Sequence, residues 1–117
     1  MKLNNISVVI FLILITIGSS IPGKNMPALN IFGFDKILHI IEYFILGCLL
    51  INVLKDKTDC PILLTLFVGI MYGVSDEIYQ FTVIGRFPSP FDVIADTLGL
   101  TLSIILFKKK SDIINRW

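Results

Sequence analysis

Residues 72–99, YGVSDEIYQFTVIGRFPSPFDVIADTLG, decide how the chain folds. They place acids, an amide and an arginine inside a chain that is otherwise rich in apolar side chains. An ionisable side chain in hydrocarbon is costly unless it faces the interior of a helix bundle, a partner or a wet cavity, so a functional site is its default interpretation. We therefore expect helices that turn these groups toward one another.

The composition is that of a membrane protein. Of the 117 residues, 55% are hydrophobic and 16% are charged, and the mean hydropathy is +0.85, which lies outside the usual range for a soluble domain. The net charge of +1 gives no reason to expect a nucleic acid partner. Cys48 and Cys60 have no neighbour at metal-ligand spacing, and we interpret them as small apolar residues rather than a disulfide.

Apolar runs predict an all-α integral membrane bundle of four transmembrane helices that forms a single domain over residues 1–117. The runs cover residues 6–21, 36–54, 61–83 and 92–107. We expect loops at residues 22–34 and 55–59, and we expect Gly85 and Pro88 to separate the third helix from the fourth. The first run also resembles a cleaved signal peptide, but we favour a retained helix because more membrane segments follow it.

The positive residues predict that both termini are cytoplasmic. Lysine and arginine concentrate on the cytoplasmic side of membrane proteins. With four spans, the inner side holds seven of these residues, namely Lys2, Lys55, Lys57, Lys108, Lys109, Lys110 and Arg116, and the outer side holds three, Lys24, Lys36 and Arg86. In this multi-pass arrangement in the cell membrane, the polar ends of the last three helices face outward and form a wet notch in the outer leaflet.

Helical spacing collects the polar residues on three faces, because residues three or four apart share one side of a helix. The stripes are Asp35, His39 and Tyr43, then Asp76 and Gln80, and then Asp92, Asp96 and Gly99. Small residues recur at the same spacing, Gly69 with Gly73, and Ala95 with Gly99 and Ser103. Since small residues let membrane helices approach closely, we expect the three polar edges to meet.

Each polar residue also has a structural interpretation. Taken singly, Gln80, Tyr43 and Tyr72 would serve as hydrogen-bonding groups between helices or as anchors at the membrane interface, and His39 would be a structural residue. Arg86 would neutralise a buried acid by pairing with it. The convergence of the whole set on one end of the bundle is what favours a functional site.

Three motifs carry a resemblance to a known family. They are Asp35-Lys36-x-x-His39-x-x-x-Tyr43-x-x-Leu46-Gly47, Ser75-Asp76-Glu77-x-x-Gln80, and Gly85-Arg86-x-x-Ser89-x-x-Asp92-Val93-x-Ala95-x-Thr97-Leu98-Gly99. In this order the motifs, spanning residues 35–99, resemble the VanZ-like family of small bacterial membrane proteins. That family usually has asparagine where this chain has Asp96, and its namesake is associated with resistance to the glycopeptide teicoplanin. The resemblance implies a role in the cell envelope.

The resemblance and the polar stripes together indicate the candidate site residues. The catalytic candidates are Asp35, His39, Asp76, Glu77, Gln80 and Asp92, and the candidates for substrate binding are Arg86, Lys36, Tyr43 and Asp96. We expect no cofactor and no metal, because His39 with these acids is an incomplete ligand set and no pair of histidines occurs at helical spacing. A divalent ion held by the carboxylates is the alternative.

Three functions fit these residues. The first is an enzyme, a hydrolase or transferase that acts on a phosphate- or acyl-containing envelope lipid with a histidine and acids as its proton-transfer groups. The second is a non-catalytic site that binds a membrane lipid or cell-wall precursor, in which Arg86 and Lys36 hold an anionic group. The third is an assembly protein whose polar edge is covered by a partner helix.

Overall fold

The computed structural model of the protein describes residues 3–20, 34–85 and 89–110, with side chains described within 5–20, 36–85 and 89–109. The chain forms four helices in these ranges, α1 (Leu3–Ser20), α2 (Phe34–Leu54), α3 (Pro61–Gln80) and α4 (Pro90–Lys110). The predicted all-α fold is confirmed. Three of the helices, α2, α3 and α4, are long and apolar enough to cross a membrane, while α1 contains a shorter apolar segment, Asn5–Ser20.

The connection between α2 and α3 follows the predicted charged turn. The backbone amides of Lys57 and Thr58 both donate to the carbonyl of Leu54, at 3.0 and 3.2 Å, and end α2. Pro61 occupies the first turn of α3, where the missing proline amide costs no helical hydrogen bond. Cys48 and Cys60 are free thiols. The loop predicted at residues 22–34 lies outside the described residues except for Phe34, which begins α2.

The third helix is shorter than the sequence predicts. It ends at Gln80 and does not continue to Val83. Beyond Gln80 the amides of Phe81, Thr82 and Val83 each donate to the carbonyl three residues earlier, so the chain tightens into turns. Gly85 follows with φ of 79°, a left-handed conformation that favours glycine.

The core lies where α2 meets its neighbours. Tyr43, Leu46 and Leu50 of α2 pack with Ile15 of α1 and Leu100 of α4. Of all the helix pairs, α2 and α4 make the most extensive contact. This contact fixes the two helices that carry most of the polar residues predicted to form the site.

Glycines allow this close contact, as the small-residue spacing predicts. A Cβ atom on Gly99 of α4 would lie 2.3 Å from the Ile40 carbonyl oxygen of α2. A Cβ atom on Gly47 of α2 would likewise lie 2.0 Å from Ser103 Oγ of α4. Since neither position has room for a methyl group, the two backbones approach more closely than larger residues would permit.

Candidate functional site

The buried polar side chains gather at one end of the bundle. Here α2 begins, α3 ends and α4 begins, so the three helix ends bring together residues that are distant in sequence. The buried polar residues of this end are His39 of α2, Asp76, Glu77 and Gln80 of α3, and Asp92 and Asp96 of α4. The structure therefore brings polar residues of α2, α3 and α4 to the same end of the fold.

His39 and Asp96 form the central contact. His39 Nδ1 lies 2.8 Å from Asp96 Oδ1, and with an ionised carboxylate the imidazole nitrogen must be the donor. Asp96 is only 1% exposed. A carboxylate that accepts from one ring nitrogen fixes the tautomer and the orientation of the ring, and it leaves the other nitrogen for further chemistry.

The other ring nitrogen of His39 faces a second acid. His39 Nε2 lies 3.8 Å from Asp92 Oδ1. Lys36, one turn before His39 on α2, forms an ion pair with the same carboxylate. Lys36 thus neutralises an acid that α4 presents in its first turn.

Glu77 approaches from α3. Its Oε2 accepts a hydrogen bond of 3.0 Å from the backbone amide of Ser89, which also donates to Asp92 Oδ2 at 3.3 Å. Glu77, His39 and Asp96 each offer a ligand atom, and these atoms all lie within 4.8 Å of one another. The arrangement joins one imidazole and two carboxylates from three different helices.

Asp76 turns toward α1 instead. Ser19 Oγ donates to Asp76 Oδ2 at 2.7 Å, and this pair is buried. Two further contacts join the same helices, between Thr16 Oγ1 and Tyr72 OH at 2.5 Å and between Ser20 Oγ and Tyr79 OH at 2.7 Å. A polar ladder therefore links α1 to α3.

A small apolar groove opens beside the cluster. Its volume is about 170 Å³, and it lies between α3 and α4. Val74, Ile78 and Val93 line its apolar walls, and Glu77 and Ser89 are also among its lining residues. The site thus combines ionisable groups with space suited to hydrocarbon.

The sequence matches the family described as VanZ/LLP1 over residues 2–114. The chain belongs to the VanZ/LLP1 family. This agrees with the resemblance of the three motifs, and it extends the match over nearly the whole chain. No curated protein and no solved structure matches the chain.

The fold of this VanZ/LLP1 protein brings some of the predicted site residues together and separates others. Lys36, His39, Glu77, Asp92 and Asp96 form the cluster, which we call the polar cluster from here on. Tyr43 is fully buried, and no hydrogen-bond partner reaches its hydroxyl among the described residues. Gln80 is buried at the end of α3. Arg86 lies outside the described residues, and so does the side chain of Asp35 in the first turn of α2.

Sequence reasoning missed two contributors. Ser19 belongs to none of the predicted polar stripes, yet it is the partner of Asp76. The backbone amide of Ser89 joins Glu77 to Asp92, and no side-chain pattern signals a backbone donor. The serines and threonine within residues 16–20, at the end of the first apolar run, could have indicated the role of Ser19.

Proposed function

We propose that this VanZ/LLP1 protein is a multi-pass protein of the cell membrane whose polar cluster binds a cell-envelope lipid or lipid-linked cell-wall precursor, and that it thereby alters susceptibility to glycopeptides such as teicoplanin. The observation that carries the proposal is the burial of His39, Glu77, Asp92 and Asp96, with the half-buried Lys36 paired to Asp92, at one end of a bundle of apolar helices. Ionisable groups are retained in such a place when they serve a ligand, a proton or an ion.

The groove supports an amphiphilic ligand. Apolar side chains of α3 and α4 form nearly all of its surface, and Glu77 of the polar cluster is one of its lining residues. A lipid that places its headgroup at the polar cluster would lay part of its hydrocarbon against Val74, Ile78 and Val93. A purely polar ligand would leave this surface unused.

The proposal includes four spans with both termini in the cytoplasm. The polar ladder from α1 to α3 supports a retained first helix, because cleavage would remove Ser19, the partner of the buried Asp76. The excess of positive residues on the proposed inner side supports the orientation. In this orientation the polar cluster opens toward the extracytoplasmic face, where wall precursors are assembled into polymer.

An enzymatic variant of this function is favoured by one contact. Asp96 orients the His39 ring at 2.8 Å, as a carboxylate does for a catalytic histidine. A hydrolase or transferase acting on a phosphate- or acyl-containing envelope lipid would use His39 to take a proton from water or from an acceptor hydroxyl. Asp96 would be a positioning residue in that reaction.

Glycopeptide susceptibility tests the proposal. The wild-type chain is expressed in a sensitive host beside three variants of the polar cluster, His39→Ala, Glu77→Gln and Asp92→Asn, at matched membrane levels. Glu42→Gln is the control, because it removes a carboxylate of α2 outside the polar cluster. We expect wild type and Glu42→Gln to protect the host and the three variants to lose protection.

Three other outcomes would each contradict part of the proposed function. A wild-type chain that gives no protection contradicts the role in glycopeptide susceptibility. Protection that survives all three substitutions contradicts the assignment of the site. If changes at Gly73 and Gly99 remove protection while His39→Ala does not, the chain acts as an assembly partner of another membrane protein.

A further inference from the structure

We propose that His39, Glu77 and Asp96 form a binding site for a divalent transition-metal ion such as Zn²⁺. The three side chains come from α2, α3 and α4, and their ligand atoms all lie within 4.8 Å of one another. The inference goes beyond the proposed function, since it holds whichever envelope molecule the protein binds. It also departs from the sequence-based expectation of no metal.

The donor set selects the class of ion. Imidazole nitrogen together with carboxylate oxygen suits zinc and its neighbours among the transition metals, whereas magnesium and calcium prefer oxygen alone. Three protein ligands leave a coordination position open, as in zinc sites that bind water or substrate. Bond lengths of about 2.0–2.2 Å to zinc place ligand atoms about 3.3 Å apart, so the most widely separated pair of donors must approach by about 1.5 Å at most.

Glu77 supplies an independent observation. It is 94% buried, since only 6% of its surface is exposed. Its Oε2 accepts from the Ser89 amide, but its Oε1 is buried with no hydrogen-bond partner among the described residues. A buried carboxylate oxygen without a partner is costly, and a metal ion beside it removes that cost.

The charges of the polar cluster also favour a bound divalent cation. Asp92 has Lys36 as its partner, while Glu77 and Asp96 converge on a single imidazole. Two carboxylates that approach each other at buried positions repel, and a divalent cation balances both of their charges. The ion would also bind an anionic headgroup in a site that is otherwise rich in acids. Only this consequence rests on the proposed function.

Gly73 makes room for one of the ligands. A Cβ atom at this position would lie 2.9 Å from Asp96 Oδ2. Because Gly73 has no side chain, the Asp96 carboxylate fits between α3 and α4. Asp92 lies beside the site, with Oδ1 at 3.8 Å from His39 Nε2.

Metal binding by the purified full-length chain in detergent tests the inference. After treatment with a chelator and its removal, the protein is titrated with Zn²⁺, Mn²⁺ and Mg²⁺ by calorimetry, and bound metal is measured by mass spectrometry after dialysis. We expect stoichiometric Zn²⁺ binding that Mg²⁺ does not displace at equal concentration. His39→Ala, Glu77→Gln and Asp96→Asn should each weaken it by about 10-fold or more, and Glu42→Gln should bind as wild type does.

The choice of variants separates loss of metal binding from loss of folding. Asp96→Asn retains an oxygen that accepts from His39, so it is expected to fold even if Glu77→Gln does not. A rise in melting temperature on adding Zn²⁺ to wild type, which is absent in Asp96→Asn, gives a second readout. Lack of stoichiometric Zn²⁺ binding by wild type overturns the inference, and so does binding that persists in Asp96→Asn or falls equally in Glu42→Gln. None of these readouts depends on protection from glycopeptides, so failure of the metal site and failure of the proposed function are distinguishable.

Discussion

The Nδ1 atom of His39 lies 2.8 Å from Oδ1 of Asp96, and this contact joins α2 to α4 at a place where both side chains are buried. The two residues are 57 positions apart in the chain. They meet because α2 and α4 approach to the distance that glycine permits. The geometry of the polar cluster therefore depends on helix packing, and several predictions about packing test it.

Gly99→Ala should destabilise the protein. The added methyl group would lie 2.3 Å from the carbonyl oxygen of Ile40 and 2.8 Å from the amide nitrogen of Phe44, and backbone atoms cannot move aside as side chains do. We expect a loss of about 1–3 kcal/mol, as for other overpacked positions. Thermal unfolding in detergent measures it. Gly18→Ala is the matched control, because nothing lies within 4 Å of the added carbon, and equal melting temperatures for the two variants would contradict the packing.

Gly73→Ala should affect the site more than the fold. The added methyl group would meet the end of a side chain, Asp96 Oδ2, at 2.9 Å. The carboxylate can rotate away, but rotation disturbs its contact with His39. We expect a smaller loss of melting temperature than in Gly99→Ala, together with loss of protection from glycopeptides and weaker Zn²⁺ binding. A variant that retains both properties would show that the position of this carboxylate is unimportant.

Ser19 and Asp76 should be energetically coupled. Their hydrogen bond of 2.7 Å is buried between α1 and α3. Such bonds between membrane helices contribute about 0.6 kcal/mol on average and up to about 1.7 kcal/mol. A double-mutant cycle with Ser19→Ala and Asp76→Asn, measured by unfolding in detergent, should give a coupling in the upper part of this range because one partner is an acid. Additive effects would show that α1 is not held by this contact.

The sequence predicted the helices and the gathering of polar residues at one end of the bundle, because both follow from local periodicity. Apolar runs set the helices, and Pro61 marks the start of α3. The helices that Asp76 and Glu77 contact could not be predicted in the same way. Adjacent residues point in different directions around a helix, so Asp76 reaches Ser19 of α1 while Glu77 joins the cluster with α4. Which acid faces which neighbour depends on how α3 packs between two helices.

Surface labelling should reveal the orientation of the bundle. Cys48 and Cys60 are first replaced by alanine, and single cysteines are then introduced at two exposed turn positions, Ile84→Cys and Asp56→Cys. If both termini are cytoplasmic, a membrane-impermeant maleimide should label position 84 in intact cells and position 56 only after permeabilisation. The reverse pattern would place the polar cluster on the cytoplasmic side and contradict the proposed outward-facing site.

Filling the apolar groove should impair function without harming the fold. Val74 lines the groove on α3, and Val68, six residues earlier on the same helix, does not line it; their exposures are 36% and 37%. Val74→Phe would place a ring where the hydrocarbon of a lipid is proposed to lie, whereas Val68→Phe adds the same ring to an exposed surface. We expect Val74→Phe to reduce protection from glycopeptides several-fold at unchanged melting temperature, and Val68→Phe to behave as wild type. Equal activity of the two variants would show that the groove does not hold the ligand, and the polar cluster would then have to act on a molecule that approaches from the open end of the bundle.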